Sequence, residues 1–162
     1  GISRMSRINK NMLLLSKIEN SQFSDIEQVE LMNVVSETLN LLGDYIAAKQ
    51  IEVRNTITQG QALTCNKTLL EILISNLLIN SIVHNSEKGI LKLSYAENTL
   101  TVSNTGTAGL TKENLFNRFA ISNPNKTNSG LGLAIVKEIC NRYNWCINYE
   151  YEHGLHSFSI KF

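Results

Sequence analysis

The stretch LLEILISNLLINSIVHN, residues 69–85, predicts a helix with leucine and isoleucine on nearly every side. A helix that is apolar all round belongs in the centre of a core. Asn76, Asn80 and His84 nevertheless recur every four residues, which stacks their side chains on one face. Two interpretations stay open. In the first, the three side chains form a polar stripe that faces solvent or bonds to a neighbouring loop, and in the second they form a ligand site. In a ligand site, an amide oxygen is a hard ligand suited to Mg²⁺, whose other ligands are waters and substrate phosphates.

Composition and charge narrow the class of protein. The 162 residues are 43% apolar and 18% charged, which indicates a globular chain with one sizeable core. The net charge is only +1, so we expect no nucleic-acid partner. The apolar segment Leu69 to Val83 is too short and too polar to span a bilayer, which predicts a soluble chain. Cys65, Cys140 and Cys146 form no CxxC pair, and we expect buried free thiols.

Hydrophobic periodicity divides the rest of the chain into helices and strands. Residues 2–20 carry one apolar stripe at helical spacing, which has to meet a second helix in this chain or in another copy. A further helical stripe runs from Val34 to Ala47, with Asn33 as its capping residue. Hairpin turns are predicted at residues 97–98 and 153–154. Strands are predicted at residues 29–31, 51–57, 89–95, 99–104, 148–152 and 157–162, and this order of elements predicts an α+β fold.

The stretch SGLGL, residues 129–133, opens a helix predicted over residues 130–143. Two glycines at a helix start let a ligand approach the backbone, and the free N–H groups and the helix dipole favour a phosphate. An ordinary glycine-rich helix start is the competing interpretation. The stretch is not a Walker A loop, because no Lys-Ser/Thr pair follows the glycines, and it is not a Rossmann fingerprint, because a long loop precedes it.

Two other stretches carry weaker signals. In SNTGTAGL, residues 103–110, Asn104 lies where a strand stops, and its amide could read a base edge or simply terminate the strand. The loop over residues 105–129 has a helical interruption around 113–119 that contains LFNRF, residues 115–119. Its aromatic side chains predict either an anchor to the body of the domain or the latch of a lid. His153 and His156 flank the final turn and are predicted to be surface residues.

In this order and spacing, the four stretches resemble the sequence boxes of the sensor histidine kinases. NLLINSIVHN at 76–85 resembles the N box, and NTG at 104–106 resembles a modified G1 box. LFNRF resembles the F box, and SGLGLAIVKEI at 129–139 resembles the G2 box. The helix at 2–20 is similar to the second helix of the dimerisation hairpin that precedes the catalytic domain in that family.

The resemblance implies two domains and a fold. Residues 1–24 would form the second helix of the dimerisation hairpin, and residues 25–162 would form the ATP-binding catalytic domain. That domain is a two-layer α/β sandwich of the α+β class, with a mixed, mainly antiparallel sheet and three helices, preceded here by one long helix.

The resemblance also implies an ATP site between the N-box helix and a lid over residues 110–129. Asn80 would hold Mg²⁺, Asn76 would contact the phosphates or frame the site, and Asn104 would accept a hydrogen bond from the adenine amino group. Because Val83 stands where a phosphate-binding lysine is frequent, Lys126 or Arg118 would supply the cation. The other residues assigned to the ATP site are His84, Gly106, Gly109, Phe119, Gly130, Leu131 and Gly132.

Besides Val83, the chain departs from the family pattern at three positions. Asn104 replaces an aspartate, and a neutral amide accepts a hydrogen bond more weakly than a carboxylate. The second glycine of the G1 box, Gly109, is displaced by one residue, and Asn128 stands where the G2 box has its first glycine. These changes bear on nucleotide affinity and leave the expected fold intact.

The function implied is that of the ATP-binding portion of a two-component sensor histidine kinase. It would position Mg-ATP for phosphoryl transfer to a histidine on an upstream helix and onward to the receiver domain of a response regulator. We expect no catalytic residue in this stretch, no autophosphorylation by the chain alone, a cytoplasmic location in a parent that can be membrane-anchored, and a homodimer through the N-terminal helix. The alternatives are a degenerate nucleotide-binding fold acting as an interaction module, or another ATPase or kinase of the GHKL superfamily.

Overall fold

The computed structural model describes residues 23–107, 109, 115–116 and 132–162. The described residues do not include the predicted helix at 2–20 or most of the predicted lid. The predicted domain boundary at residue 24 therefore stays a prediction. The described elements are β1 Glu27–Glu30, α1 Leu31–Leu41, α2 Gly43–Ala48, β2 Glu52–Asn55, β3 Ala62–Cys65, α3 Lys67–Val83, β4 Ile90–Ala96, β5 Thr99–Thr105, α4 Gly132–Tyr143, β6 Cys146–Glu152 and β7 Leu155–Lys161.

Helix α3 forms the centre of the core, as its sequence predicts. Its leucines and isoleucines at 69, 70, 73, 74, 77 and 78 are almost completely buried. The helix begins after Asn66, whose Oδ1 accepts a hydrogen bond from the Leu69 N–H at 3.0 Å. At the other end, the Lys49 ammonium donates to the carbonyl oxygens of Ile82 and Val83 at 2.8 and 2.9 Å. A positive charge at a helix C-terminus satisfies carbonyls that have no partner within the helix.

A five-stranded sheet in the order β2-β4-β5-β7-β6 packs its apolar face against the helices. Only β2 and β4 are parallel, so the sheet is mixed and mainly antiparallel, which confirms the predicted α+β class. The register aligns Leu93, Val102, Phe158 and Tyr149 across four strands, and these side chains are buried together.

Both predicted hairpin turns are confirmed. Glu97 and Asn98 have φ angles of 52° and 59°, and His153 and Gly154 have φ angles of 52° and 75°. Two consecutive residues with positive φ are the signature of the turn that matches the twist of a two-residue hairpin.

The N-terminal part of the described chain differs from its prediction in two ways. Strand β3 was not predicted, and it pairs with β1 in a separate two-stranded sheet. The first helix begins at Leu31, so Asn33 is not its cap, and the helix breaks at Leu42 into α1 and α2. The early start has a tertiary cause, because the buried Leu31 donates its N–H to the carbonyl of Gln61 at 3.0 Å.

None of the helices in the described ranges has the length and hydropathy that crossing a lipid bilayer requires.

Candidate functional site

The polar stripe of α3 does not face open solvent. Asn80 is only 9% exposed, and Asn76 and His84 are half-buried. Asn76 donates its Nδ2 to the carbonyl of Ile72 at 2.8 Å. A Cβ added at Gly132 would lie 3.1 Å from the Asn76 Oδ1, which is tighter than most van der Waals contacts. The start of α4 therefore approaches the N-box helix closely, and glycine at position 132 permits that approach.

Asn104 ends the buried run of β5 and is 1% exposed. Its Nδ2 donates to the carbonyl of Thr105 at 3.1 Å, which fixes the amide group. Among the described residues, no donor reaches the buried Oδ1. A buried acceptor without a partner costs about 1–3 kcal/mol, and this oxygen can accept one hydrogen bond from a donor outside the described residues.

The end of α3 and the end of β5 are joined by side-chain hydrogen bonds. Asn85, just beyond α3, donates its Nδ2 to the carbonyl of Ile90 at 3.0 Å. The N–H of Ile90 donates to the Oγ1 of Thr105 at 2.9 Å. Thr105 follows Asn104 directly, so these bonds hold the C-terminal end of the N-box helix beside the strand end that carries Asn104.

The turn after Asn104 rests on the β6–β7 hairpin. Gly106 donates its N–H to the carbonyl of Gly154 at 3.0 Å and accepts a hydrogen bond from the Tyr151 hydroxyl at 3.0 Å. Gly109 lies against the same tyrosine, because a Cβ added there would be 3.3 Å from the Tyr151 ring. Both glycines of the modified G1 box are therefore placed by this hairpin.

His156 is not a surface residue, contrary to the sequence prediction. It is 6% exposed, and its Nδ1 makes a 2.7 Å hydrogen bond with the Tyr149 hydroxyl. The predicted strand started at residue 157, whereas β7 starts at Leu155, and His156 falls on the buried face with Phe158 and Ile160. The alternation of His156, Phe158 and Ile160 in the sequence was the signal from which its burial could have been predicted. His153 is exposed, as predicted.

Two further polar groups near the end of α3 were missed by sequence analysis. The Ser81 hydroxyl and the Asn85 Oδ1 are buried, and no described residue bonds to them. A Cβ added at Gly89 would lie 2.1 Å from the Asn85 Oδ1. The available signal was a set of small polar residues at the end of a helix that is otherwise apolar.

The two buried cysteines offer no activated nucleophile. Burial raises the pKa of the Cys65 thiol to about 11 and that of the Cys140 thiol to about 12, so both are protonated at neutral pH. All three cysteines are free thiols, but Cys146 is exposed, which corrects the prediction that all three are buried. Within the described ranges, no three His, Cys, Asp or Glu residues cluster in a way that could hold a metal ion.

The predicted LFNRF segment is described only at its first two residues. Leu115 is buried, and the Phe116 ring meets the Phe158 ring edge-on with centroids 6.3 Å apart. These contacts favour the anchor interpretation for this part of the segment. The predicted site residues that lie outside the described residues are Arg118, Phe119, Lys126, Gly130 and Leu131, and Asn128, the departure from the G2 box, lies there too.

The model of one protein family matches residues 65–162, more than half of the chain; the family is described as histidine kinase-, DNA gyrase B- and HSP90-like ATPase. The sensor histidine kinase HprS of Escherichia coli (strain K12) is 25% identical over 167 residues, with 98% of this chain and 36% of that protein covered. The chain spans about a third of the length of the curated relatives it matches.

Two solved structures share the fold. The Acinetobacter baumannii histidine kinase AdeS has a TM-score of 0.77 at 22% identity, over 96% of this chain and 76% of that chain. The cytoplasmic segment of histidine kinase QseC has a TM-score of 0.70 at 19% identity, over 100% of this chain and 94% of that chain.

Proposed function

The chain belongs to the family of histidine kinase-, DNA gyrase B- and HSP90-like ATPases, and we propose that it binds Mg-ATP as the nucleotide-binding portion of a sensor histidine kinase. The membership confirms the resemblance carried by the four sequence boxes. No observation favours the interaction module or another kind of ATPase. We assign residues 25–162 to the ATP-binding domain and residues 1–24 to a helix of the dimerisation hairpin.

The observation that carries the proposal is the buried Oδ1 of Asn104, which no donor among the described residues reaches. The Nδ2 of the same amide is engaged with the carbonyl of Thr105, so the group offers an acceptor to the site. Adenine presents an exocyclic amino donor, whereas guanine and hypoxanthine present a carbonyl acceptor at the same ring position. The site is thus suited to adenine.

We assign the phosphates to the start of α4, where it lies beside α3. The close approach of Gly132 to Asn76 supports this assignment, because it brings a helix N-terminus beside the polar stripe. The N–H groups at the start of a 12-residue helix, α4, favour negative charge. We assign Gly130 and Leu131 to the same phosphate-binding backbone, and His84, Phe119 and Lys126 to the surrounding site.

Asn80 is the residue that would hold Mg²⁺. Its buried amide supplies one hard oxygen ligand, and Mg²⁺ typically takes its remaining ligands from phosphates and water, so the residues present fit this ion. When bound, Mg²⁺ neutralises charge on the phosphates. The protein's own part is to bind the nucleotide and orient its γ-phosphate, and no described side chain acts as a nucleophile.

The activity of the whole protein follows as a proposal. The γ-phosphoryl group would pass to a histidine on the other hairpin helix and then to the receiver domain of a response regulator. We place the domain in the cytoplasm, in keeping with the similar cytoplasmic segment of QseC, and we propose that hairpin helices from two copies pair in a homodimer.

The proposal is tested by calorimetric titration of ADP into the wild-type chain, with and without Mg²⁺. We expect micromolar affinity that falls when Mg²⁺ is withdrawn, and an Asn80→Ala variant that has lost this Mg²⁺ dependence. Asn40→Ala is the matched control, because Asn40 is an exposed asparagine on α1. A folded wild-type chain that binds no adenine nucleotide at millimolar concentration would overturn the proposal and favour the interaction module.

A further inference from the structure

His156 is a buried polar residue that the proposed nucleotide site leaves without a role. It lies on β7 directly opposite Asn104 of β5 in the antiparallel register. Its ring is held by the hydrogen bond to the Tyr149 hydroxyl at 2.7 Å. The Tyr149 and Tyr151 rings lie beside it, with centroids 5.9 and 4.8 Å from the imidazole. Its position is therefore fixed by the strand and by its neighbours.

The imidazole fills the space beside the turn that follows Asn104. A Cβ added at Gly106 would lie 2.1 Å from the His156 Nε2 and 2.3 Å from its Cδ2. Real Cβ atoms do not approach other atoms so closely, so a residue larger than glycine at 106 would force the His156 imidazole out of its place. The ring therefore forms the wall against which the backbone at Gly106 packs.

We propose that His156 is a positioning residue for recognition of the nucleotide base, an inference that rests on the proposed function. Fixed by Tyr149, the imidazole sets the path of the backbone from Asn104 to Gly106 and so aims the Asn104 amide at the base. The hydrogen bonds from Gly106 to Gly154 and from Tyr151 to Gly106 hold the turn against the same hairpin. If the His156 imidazole were removed, the two hydrogen bonds of Gly106 would remain. A cavity would then lie beside the turn, and the turn could shift into it.

The proposal makes a prediction that general destabilisation does not. Inosine diphosphate has the phosphates and ribose of ADP, but it carries an oxygen in place of the adenine amino group. If His156 aims the Asn104 amide, the His156→Ala variant should lose discrimination between ADP and inosine diphosphate and largely keep its affinity for the latter. If His156 only supports the fold, both nucleotides should weaken by the same factor.

The experiment is calorimetric titration of both nucleotides into wild-type, His156→Ala and Tyr149→Phe chains. We expect the wild-type chain to prefer ADP by about tenfold, the value of one hydrogen bond, and His156→Ala to bind the two nucleotides equally. Tyr149→Phe keeps the aromatic packing and removes the hydroxyl. Its preference for ADP should therefore lie between those of the wild-type chain and of His156→Ala. His153→Ala is the matched control, since His153 is exposed on the adjacent turn. Fluorescence of Trp145, the only tryptophan, reports folding.

A second arm uses the steric exclusion between positions 106 and 156. Gly106→Ala should weaken ADP binding by about tenfold or more, and adding His156→Ala should restore part of that affinity, because the new methyl group then has room. Gly43→Ala is the control, since a Cβ there meets no atom within 4 Å.

The outcomes separate the two proposals. A folded wild-type chain that binds neither nucleotide overturns the proposed function, and this inference with it. Wild-type binding with ADP preference intact in His156→Ala, and no restoration in the Gly106→Ala/His156→Ala variant, overturns the inference alone. If His156→Ala does not fold, Tyr149→Phe decides the matter, and unchanged ADP preference in that variant contradicts the proposal.

Discussion

The two ends of the five-stranded sheet are built differently. At the end where β4 turns into β5, Trp145 stacks on Tyr143 with ring centroids 4.6 Å apart and meets Phe162 edge-on at 4.7 Å. There the Phe162 N–H bonds the carbonyl of Asn98. At the end where β6 turns into β7, Asn104 keeps a buried oxygen that no described donor reaches. One end is closed by aromatic packing, and the other has an unmet hydrogen bond.

The difference between the two ends predicts that one end of β5 contributes to stability and the other to nucleotide binding. Aromatic pairs stabilise a fold beyond their buried area, whereas an unpaired buried acceptor destabilises it. One reason for a protein to keep such an acceptor is that a ligand supplies the missing donor. We therefore infer that variants at the aromatic end change stability with little effect on nucleotide binding, and that replacing Asn104 itself does the opposite.

The largest expected effect is at Asn104. Replacement by leucine, which has nearly the same shape, removes the unmet acceptor and the contact to adenine together. We expect ADP affinity to fall by about 10- to 100-fold, while the free energy of unfolding stays the same or rises by about 1 kcal/mol. Calorimetry and urea denaturation measure the two quantities. Lower stability with unchanged ADP affinity would reverse the assignment of the two sheet ends.

At the aromatic end, Trp145→Ala should have the reverse effect. Trp145 is half-buried, so truncation should cost about 2–3 kcal/mol of unfolding free energy, somewhat less than for a fully buried tryptophan. ADP affinity, measured without denaturant on folded protein, should be unchanged. Tyr45→Ala serves as the control, because Tyr45 is an aromatic side chain 66% exposed on α2. A large loss of ADP affinity in Trp145→Ala would show that the two ends are coupled.

A smaller effect is expected at Lys49, which holds the end of α3 next to the site. Its ammonium also donates to the Asn85 carbonyl at 3.3 Å, in addition to those of Ile82 and Val83. Lys49→Met keeps the aliphatic stem and should lower the free energy of unfolding by about 1–2 kcal/mol. Lys92→Met, at an exposed position on β4, is the control. Equal stability in both variants would mean that these bonds contribute nothing net.

The parts of the fold that depend on local sequence could be predicted. Helix α3 and the two hairpin turns follow from periodicity and turn chemistry within short windows. Strand β3 could not be found in this way, because its four residues gain their structure from pairing with β1, which lies more than 30 residues earlier. The start of α1 depends likewise on the distant carbonyl of Gln61.

The candidate site was predicted by residue type and order, and its geometry was not. The motifs identified Asn76, Asn80 and Asn104, and the structure adds that Asn104 has a fixed Nδ2 and a buried Oδ1. His156 was predicted on the surface because its strand starts two residues earlier than the pattern suggested. That boundary error placed His156 in the exposed turn, although the alternation set by Phe158 and Ile160 continues to it on the buried face.

The most direct test of the central claim is a crystal structure of the chain with ADP and Mg²⁺. We predict that the adenine amino group donates a hydrogen bond to the Asn104 Oδ1, with the diphosphate between α3 and the start of α4. A nucleotide bound elsewhere, or bound with the Asn104 oxygen still buried and without a donor, would contradict the account.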